Sequence, residues 1–319
     1  MGYRRVTVLG ASGFVGRYLV KRLAAEGAVI AAVSRHAKAA GFLRPMGDVG
    51  QIAPIEADLA DDRALAAVVE GADLVVNAVG ILYERGRQRF ETLHHRLPAR
   101  LGAAAKAAGV KQLLHISAIG ADPHSRAAYG RSKAAGEAAL RAAFPEAIIL
   151  RPSVVFGPED RFFNRFAALA RLLPALPLIG GGHTRFQPVY VGDVADAALA
   201  ALKREAAQGG TFALGGPEVF TFRALMELML REIGRRRLLV PVPFWLASMK
   251  ALFLERLPDP LITRDQLRLL RADNVVPAGK PGLAALGITP TAVELVLPFY
   301  LDRYRRGGRP LVRLAPPVL

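Results

Sequence analysis

The chain contains no cysteine, and this absence excludes disulfide bonds and every metal site that is built on thiolates. Its six histidines are scattered or adjacent, and neither an HExxH spacing nor a carboxylate cluster accompanies them. We therefore expect a protein without a bound metal. A chain free of cysteine is also compatible with a reducing compartment, and we expect the protein to be cytoplasmic.

Long hydrophobic runs are missing as well. Apolar stretches such as LLVPVPFWLASM are about a dozen residues long, whereas a helix needs about 20 to span a bilayer. The sequence MGYRRVTVLGASG enters the first strand pattern without a secretory hydrophobic region, so we expect no cleaved export signal. A peripheral position at the inner face of a membrane stays compatible with both observations.

Acidic residues are scarce: 27 Asp and Glu residues face 43 Lys and Arg residues, giving a net charge of +16. Such an excess suits an anionic ligand, an anionic membrane or protein surface, or nucleic acid. No nucleic-acid motif and no basic stripe with interleaved aromatics is present, so we expect no nucleic-acid partner. A solvated surface and peripheral contact with an anionic membrane or a respiratory complex remain as interpretations. The basic clusters are Arg85, Arg87, Arg89, Arg96 and Arg100; Arg235 to Arg237; and Arg303, Arg305, Arg306, Arg309 and Arg313.

The first half of the chain alternates strand patterns with amphipathic helix patterns. Each strand pattern is a nearly continuous apolar run, which is typical of a parallel sheet that is buried on both faces. This order predicts an α/β fold with a Rossmann-like, doubly wound parallel sheet. One of its helices is expected from about Phe90 to Ala108, interrupted at Pro98. The predicted strands are RRVTVLG, AVIAAVS, QIAPIEADL, ADLVVNAVG, VKQLLHIS and EAIILRPSVVF.

The pattern changes after Pro158, where proline and glycine become frequent and several helix patterns follow. These features predict a smaller, mainly helical C-terminal substrate domain. We expect residues 1–158 to form a nucleotide-binding domain, with residues 186–215 packing back on it. Residues 159–185 and 216–319 are then expected to form the substrate domain.

Three glycines, Gly10, Gly13 and Gly16, lie at the turn between the first strand and the first helix. In such a turn the first glycine permits a tight bend, the second lets a pyrophosphate approach the backbone, and the third allows close helix–sheet packing. The helix N-terminus adds amide donors and a positive dipole. The motif therefore predicts a dinucleotide site, with Ser12, Phe14 and Val15 among its contacts.

The residues after the second strand bear on which dinucleotide binds. An NAD-specific site usually has an Asp or Glu there, whereas this chain has Ser34, Arg35, His36 and Lys38. Hydroxyl and guanidinium donors suit a 2′-phosphate, which favours NADP(H) over NAD(H). The alternative is that Arg35 only stacks on adenine and leaves selectivity loose. Further expected contacts are Asp58 and Leu59 after the third strand, and Asn77, Ala78, Val79 and Gly80 after the fourth.

Three residues, Ser117, Tyr129 and Lys133, are candidates for proton transfer. Tyr129 and Lys133 are four residues apart and share one helix face, while Ser117 ends the fifth strand. The tyrosine suits an acid/base, the ammonium is expected to lower the tyrosine pKa, and the serine is expected to polarise a substrate oxygen. A Tyr-x-x-x-Lys spacing by itself is more often structural, but its place after a Ser-terminated strand favours catalysis.

The motifs GASGFVG, NAVG, Tyr129-x-x-x-Lys133, LRPSVVFGPED and QPVYVGDVADAALAAL carry a family resemblance. Over about residues 4–215 the chain resembles the extended or atypical branch of the short-chain dehydrogenase/reductase superfamily, which includes NAD(P)-dependent epimerase/dehydratase-like proteins. Within that superfamily it is similar to the NADPH-binding accessory subunits of respiratory complex I and their bacterial relatives. The resemblance implies bound NADP(H), with Pro152, Val155, Tyr129 and Lys133 among the cofactor contacts.

The chain departs from this pattern in two places. Only AIGADPHSRAA separates Ser117 from Tyr129, whereas sugar-nucleotide epimerases have a long loop there. His94 or His95 lies near the place of an asparagine that relays protons in many dehydrogenases. A histidine is able to substitute in such a relay, and the alternative is a plain surface residue.

Three functions stay open at this point. An oxidoreductase that moves a hydride to or from an unidentified carbonyl or alcohol substrate is favoured by the Ser–Tyr–Lys set. A non-catalytic NADPH-binding accessory or assembly subunit of NADH:ubiquinone oxidoreductase is favoured by the basic charge and the resemblance. The third is an NADP-sensing regulator. Neither the substrate nor the oligomeric state is specified. The candidate substrate contacts are Phe156, Arg161, His183, Arg185 and Gln187, and the two arginines either bind an anionic group or tie the predicted domains together.

Overall fold

The computed structural model describes residues 5–257 and 259–307. The strands, in chain order, are β1 Arg5–Leu9, β2 Val29–Ser34, β3 Ile52–Glu56, β4 Leu74–Asn77, β5 Gln112–Ile116, β6 Ile148–Pro152, β7 Val155–Phe156, β8 Ala175–Ile179, β9 Arg185–Phe186, β10 Val189–Tyr190, β11 Thr211–Leu214, β12 Phe220–Thr221 and β13 Leu238–Val242. The α-helices are α1 Phe14–Ala25, α2 Asp62–Val69, α3 Leu97–Ala107, α4 Ala128–Ala143, α5 Phe163–Leu172, α6 Val191–Leu202, α7 Phe222–Glu232, α8 Phe244–Leu254, α9 Arg264–Leu269 and α10 Val293–Leu301.

The chain forms two compact units. The first comprises Met1–Pro152, Gly192–Leu214 and Pro277–Thr289, and the second comprises Ser153–Val191, Gly215–Val276 and Pro290–Leu319. These bounds differ from the domains expected from the sequence, since residues 153–158 and 186–191 fall in the second unit and 277–289 return to the first. Residues 277–289 return because the backbone beside β11 is bonded there, with Ala213 N donating to Pro281 O at 2.9 Å.

The first unit is built on a seven-stranded sheet with the order β11-β6-β5-β4-β1-β2-β3, and its neighbouring strands are parallel. The strands are apolar on both faces because helices cover both, so the predicted doubly wound fold is confirmed. The strand order reverses between β1 and β4. The carboxyl ends of strands on either side of such a switch point diverge and leave a crevice, which is where ligands bind in open α/β sheets.

The helix expected from Phe90 to Ala108 consists of two different parts. A π-helical segment, Glu91–Arg96, leads directly into α3, and Pro98 lies in the first turn of α3. Proline has no N–H to donate, and it lies where the hydrogen-bond pattern passes from the π-helical segment into α3. The expected interruption near Pro98 is thus a change of helix type, and π-helical turns are often found at functional sites.

The second unit contains α5 and α7 to α10 together with three two-stranded pairs, β10-β7, β12-β9 and β13-β8. Its core is a cluster of buried apolar side chains from these helices, of which Phe156, Phe163 and Tyr300 are the largest. Across the described ranges of the chain, no helix is both long and apolar enough to cross a membrane.

Candidate active site at the carboxyl end of the sheet

The glycine turn after β1 packs tightly against the chain after β4. Gly10 has a positive φ of 75°, and a Cβ there would lie 2.9 Å from the Ala78 carbonyl oxygen and 3.1 Å from the Val79 nitrogen. A Cβ on Gly16 would collide with the Gly10 carbonyl, and one on Gly13 would lie 3.0 Å from it. Side chains at these three positions would force apart the turn, the first turn of α1 and the β4 end.

The first turn of α1 gains a cation that the sequence reasoning did not single out. The Arg17 guanidinium donates to the Ser12 carbonyl at 3.1 Å and to the Gly13 carbonyl at 3.2 Å, and it lies 4.8 Å from the centre of the Phe42 ring. Phe14, the first residue of α1, makes an edge contact with Tyr18, and Val15 is half-buried. Arg17 follows Gly13 by one helical turn, and this spacing is the signal in the sequence that could have identified it.

Ser34 ends β2 with a buried hydroxyl oxygen that has no hydrogen-bond partner among the described residues. Arg35 follows it and is exposed. Glu56 ends β3 in register with Ser34, and its carboxylate accepts a 3.0 Å bond from the Ala37 nitrogen. The sequence argument found no carboxylate because it considered only the residues after β2. A carboxylate here suits a ribose hydroxyl and opposes a phosphate, so it weakens that argument for NADP(H).

The loop after β3 is fixed by its own polar contacts. The Asp58 carboxylate accepts a bond from the Ala60 nitrogen at 3.0 Å. Arg100, on α3, donates to the carbonyls of Leu59 and Ala60 at 2.9 and 3.1 Å and to the Asp62 carboxylate at 2.5 Å. One member of the first basic cluster is therefore a structural clamp on this loop.

Asn77 ends β4 in the switch-point crevice and is fully buried. Its side-chain oxygen accepts a 3.1 Å bond from the Val79 nitrogen, while its side-chain nitrogen has no partner in the described part of the chain. The Ala78 nitrogen donates to the Leu9 carbonyl at 2.9 Å. At Gly80 a Cβ would lie 3.5 Å from the Lys133 Nζ, so this segment runs past the lysine.

The structure brings Lys133 to the end of β5, next to Ser117. Lys133 Nζ donates to the Ile116 carbonyl at 3.2 Å, and Ile116 precedes Ser117 in the chain. The Ser117 hydroxyl is buried, and within residues 5–257 and 259–307 it has no hydrogen-bond partner. Tyr129 lies one turn before Lys133 on α4.

Burial sets the proton affinity of these groups. It raises the pKa of Tyr129 to about 12, and it lowers the pKa of Lys133 to about 8 although Glu137 acts in the opposite direction. The pKa of Tyr129 is therefore shifted in the direction opposite to the one expected from the sequence, and desolvation is the cause. Tyr129 is a neutral phenol at neutral pH and is suited to donate a proton.

His94 lies in the π-helical segment and is buried, so its interpretation as a surface residue is wrong. Its Nε2 accepts from the Ile81 nitrogen at 3.1 Å, which places the ring proton on Nδ1. Nδ1 lies 3.1 Å from the Ser132 hydroxyl, which donates to the Tyr129 carbonyl at 2.8 Å. Burial, Lys133 and His115 lower the pKa of His94 to about 2. Both nitrogens are engaged, so His94 links the Ile81 backbone to Ser132 on α4. His95 bonds to Glu91 at 3.2 Å.

His115 is the second buried histidine, on β5 in register with Asn77. Neither ring nitrogen has a hydrogen-bond partner among the residues that the structure describes. Burial, with Lys133 nearby, lowers the pKa of His115 to about 3, so the ring is neutral. The sequence reasoning missed this residue because an apolar strand pattern with one histidine gives no signal for a site.

A buried ion pair supports Lys133 from the next turn of α4. Glu137 receives a two-pronged contact from Arg151 on β6, with Nε 2.9 Å from Oε1 and Nη2 2.5 Å from Oε2. The Glu137 carboxylate in turn raises the pKa of Arg151. Glu137 follows Lys133 by four residues, and this helical spacing is the signal that was available in the sequence.

The remaining residues predicted to contact the cofactor or the substrate fall in different parts of the fold. Pro152 ends β6, and its carbonyl accepts from the Ile119 nitrogen at 2.9 Å; Val155 is on β7 in the second unit, beside Val189. Among the substrate candidates, Phe156 belongs to the core of the second unit. Within that unit, Arg185 bonds to the Asp273 carboxylate at 2.8 Å and Gln187 donates to the Gly216 carbonyl at 2.8 Å.

The basic clusters are partly neutralised by local contacts. Arg96 pairs with Glu91 at 3.1 Å, and Arg89 pairs with Glu84 at 3.4 Å. Arg237 donates to the Ala170 carbonyl at 2.7 Å. Exposed ion pairs of this kind contribute little to stability. Arg309 and Arg313 lie outside the described residues.

The glycine turn, the crevice and the fold agree with the matching family model, the NAD dependent epimerase/dehydratase family, which covers residues 6–215. The chain belongs to this family. Its members bind NAD(P), and the resemblance found from the sequence motifs is confirmed.

Several curated relatives are subunits of complex I. The chain is 37% identical to the mitochondrial NADH dehydrogenase [ubiquinone] 1 alpha subcomplex subunit 9 of Arabidopsis thaliana, over 95% of this chain and 78% of the relative. It is also 37% identical to the protein of that name from Mus musculus, over 94% and 80%. A ceramide reductase of Caulobacter vibrioides is 32% identical over 60% of this chain and 58% of the relative.

Solved structures share the fold. A triphenylmethane reductase from Citrobacter sp. superimposes with a TM-score of 0.74 and 20% identity, covering 93% of this chain and 99% of that one. A UDP-glucuronic acid 4-epimerase from Bacillus cereus, solved with NAD, gives 0.73 and 17%, covering 94% and 98%.

Proposed function

We propose that this protein binds NADP(H) and reduces a carbonyl group, or oxidises the matching alcohol, with Tyr129 as the acid/base. The observation that carries the proposal is a row of buried polar groups at the carboxyl ends of β2, β4 and β5. Ser34, Asn77, His115 and Ser117 each keep a buried polar atom without a partner in the described chain. Buried polar groups without partners are rare, and a ligand's polar atoms would satisfy them.

The residues fit a dinucleotide in the following way. The Gly10–Gly16 turn would hold the pyrophosphate on the α1 amides, and Arg17 adds positive charge beside this turn. Ser34 and Arg35 would meet the adenosine 2′-phosphate, and the loop at Asp58 and Leu59 would border the adenine. Asn77 to Gly80, Tyr129, Lys133 and Pro152 complete the proposed contacts within the first unit.

When bound, the nicotinamide supplies or accepts the hydride. In the reducing direction the substrate oxygen takes the proton of the Tyr129 hydroxyl, and the Ser117 hydroxyl donates a hydrogen bond to the same oxygen. The Lys133 ammonium stabilises the phenolate that remains. Because the pKa of Tyr129 is about 12, its proton is present throughout the neutral range, and this favours reduction.

The cofactor proposal is tested by measuring NADPH and NADH affinities by calorimetry. We expect NADPH to bind about tenfold more tightly or better, since a charge-assisted bond contributes about 1.5–3 kcal/mol. Arg35→Ala should narrow this difference, and Glu56→Gln should widen it by removing the opposing carboxylate. Arg63→Ala, on the exposed start of α2, is the matched control. Equal affinities in the unaltered protein would contradict the assignment of NADP(H).

A second candidate function is that of a non-catalytic accessory or assembly subunit of a respiratory NADH:ubiquinone oxidoreductase. The identity of 37% to two complex I subunits over more than nine-tenths of this chain favours it. In that case NADP(H) stabilises the fold, and the basic surface makes peripheral contact with the complex or with an anionic membrane from the cytoplasmic side. Affinity purification from native membranes should then recover complex I subunits. Recovery of none, together with NADPH-dependent turnover, would favour the enzyme.

A further inference from the structure

Helix α8 of the second unit has its large apolar side chains on the outside. Trp245, Met249 and Phe253 are 65%, 59% and 67% exposed, while the residues that face the core are Ala247 and Ala251, 6% and 0% exposed. A helix packed for stability alone would place the larger side chains inward, because burial of a large apolar side chain contributes about 1.5–3 kcal/mol. The arrangement of α8 is the reverse.

The exposed apolar residues form one continuous stripe. With Leu252, which is also exposed, they lie at positions i, i+4, i+7 and i+8, a spacing that covers about 100° of the helix surface. We call these four residues the α8 stripe. Two exposed cations border the α8 stripe: Lys250 follows Met249 in the chain, and Arg256 lies just beyond the end of α8.

The first two acidic residues that follow the α8 stripe in the chain are each paired with an arginine, and exposed Asp259 lies 3.7 Å from Arg165. Glu255, the acidic residue nearest to it in the chain, is engaged by Arg264, whose Nε lies 2.9 Å from Oε1 and which lowers the pKa of Glu255 against the effect of burial. Just before α8, Leu238 and Val240 on β13 are exposed as well. Three consecutive arginines, Arg235 to Arg237, precede β13.

We propose that the α8 stripe docks in the headgroup region of an anionic lipid bilayer, with Lys250 and Arg256 on the lipid phosphates. Aromatic and aliphatic side chains along one face and cations at its edges are the composition of helices that lie in a membrane interface. This inference deepens the peripheral contact proposed above, and it does not depend on the cofactor.

Two other occupants, a second copy of this chain and a different protein, fit the α8 stripe less well. A second copy would bring two surfaces with the same excess of positive charge against each other, and like charges oppose association. Four exposed side chains on a helix of 11 residues are also few compared with the roughly 20–30 residues per partner of a stable protein interface. A bilayer needs no matching surface and supplies the opposite charge.

The experiment uses the full chain and vesicles of two compositions, phosphatidylcholine alone and equal parts of phosphatidylcholine and phosphatidylglycerol. Trp245 is the single tryptophan of the chain, so its emission reports on the stripe directly. We expect co-sedimentation and a blue shift of the emission with the anionic vesicles, weakened by salt. Phe253→Ser should weaken binding about tenfold, and Lys250→Glu several-fold.

Matched controls keep the test decisive. Phe299→Ser removes a similarly exposed aromatic from α10, and Lys106→Glu reverses an exposed lysine on α3; neither should change vesicle binding. Absence of binding to anionic vesicles, or equal losses in the controls, overturns the proposal. A concentration-dependent dimer that Phe253→Ser abolishes, without vesicle binding, overturns it in favour of a second copy. NADPH affinity, measured on the same samples, separates this outcome from failure of the cofactor proposal.

Discussion

The two units differ in how many of their buried polar side-chain atoms are bonded within the fold: of those without a partner among the described residues, Arg303 Nε is in the second unit and the others are in the first. In the second unit, the Tyr300 hydroxyl donates to the Asp160 carboxylate at 2.5 Å, and the Asn164 side chain donates to the Asp160 carbonyl at 3.0 Å. Ser153 donates to the Asn274 side chain at 2.6 Å. Each of these groups has found its partner within the fold, so this network serves the architecture of the unit.

In the first unit, the buried groups at the carboxyl end of the sheet are left without protein partners. They are Ser34 Oγ, Asn77 Nδ2, both ring nitrogens of His115 and Ser117 Oγ, as judged over the described residues. An unpaired buried polar group costs about 1–3 kcal/mol. Under the proposed function, a bound dinucleotide and substrate would supply the missing partners of these groups.

The largest effect is expected from a pair of tyrosine variants, one in each unit. Tyr129→Phe should lower NADPH-dependent turnover by about 10²–10⁴, because it removes the proton donor, and should change NADPH affinity far less, because one of many proposed cofactor contacts is altered. Tyr300→Phe should instead cost about 1–3 kcal/mol of unfolding free energy, because it removes a donor to buried Asp160, and should leave turnover intact. Turnover and chemical denaturation of both variants check this; full activity of Tyr129→Phe would reject the tyrosine as proton donor.

A pH effect of about 3 kcal/mol is expected from Lys133. Its pKa is about 8 in the fold and 10.5 ordinarily, so between these values the unfolded chain binds more protons. The free energy of unfolding should therefore rise with pH across this window, and the rise should be lost in Lys133→Met. Denaturation curves from pH 7 to pH 10 test it, with Lys106→Met on the exposed side of α3 as the control. If the free energy of unfolding rose with pH in Lys133→Met as it does in the unaltered protein, the pKa of Lys133 would not be lowered by folding.

Removing the unpartnered ring of His115 should have a somewhat smaller effect. His115→Leu should stabilise the nucleotide-free protein by about 1–2 kcal/mol, because it removes the two unpaired ring nitrogens of this residue. The pKa of His115 is about 3, so the unfolded chain takes up its proton first as pH falls below about 6.5, and acid sensitivity should decrease in the variant. Urea denaturation at pH 7 and pH 5 measures both effects. His124→Leu, an exposed position, should change neither.

The smallest effect is expected from two serines. Ser34→Ala should stabilise the nucleotide-free protein by up to about 1 kcal/mol, because it removes an unpaired buried hydroxyl, and should weaken NADPH binding about fivefold, because the ligand loses a bond. Ser153→Ala should do the opposite and cost about 1 kcal/mol of stability with unchanged NADPH affinity, because its partner Asn274 loses a bond. If both variants lose stability alike, the contrast between the two units does not hold at the level of single groups.

The parts of the site that sequence predicts best are those set by neighbours in the chain. The turn at Gly10 and Gly16 follows from backbone sterics within a few residues, and an alternation of apolar runs and helices leaves little choice but a parallel sheet. The spacing of Tyr129 and Lys133 fixes them on one helix face without reference to the rest of the protein.

The errors have a common cause in long-range contacts. His94 looked like a surface residue because its neighbours are polar, yet a π-helical turn directs it under α4, where Gly136 leaves room for its carbonyl. Glu56 reaches the Ser34 position through sheet register, not through nearness in sequence. Burial, which no local pattern specifies, raises the Tyr129 pKa where the sequence suggested that it would fall.

The sequence by itself thus determined the fold class, the glycine turn and the family, because each depends on local geometry repeated along the chain. Only the tertiary structure decided which polar groups are partnered and which are left open, and which protonation states they adopt. The physical reason is that hydrogen-bond satisfaction and desolvation are properties of the packed environment, assembled from strands and helices that are far apart in the chain.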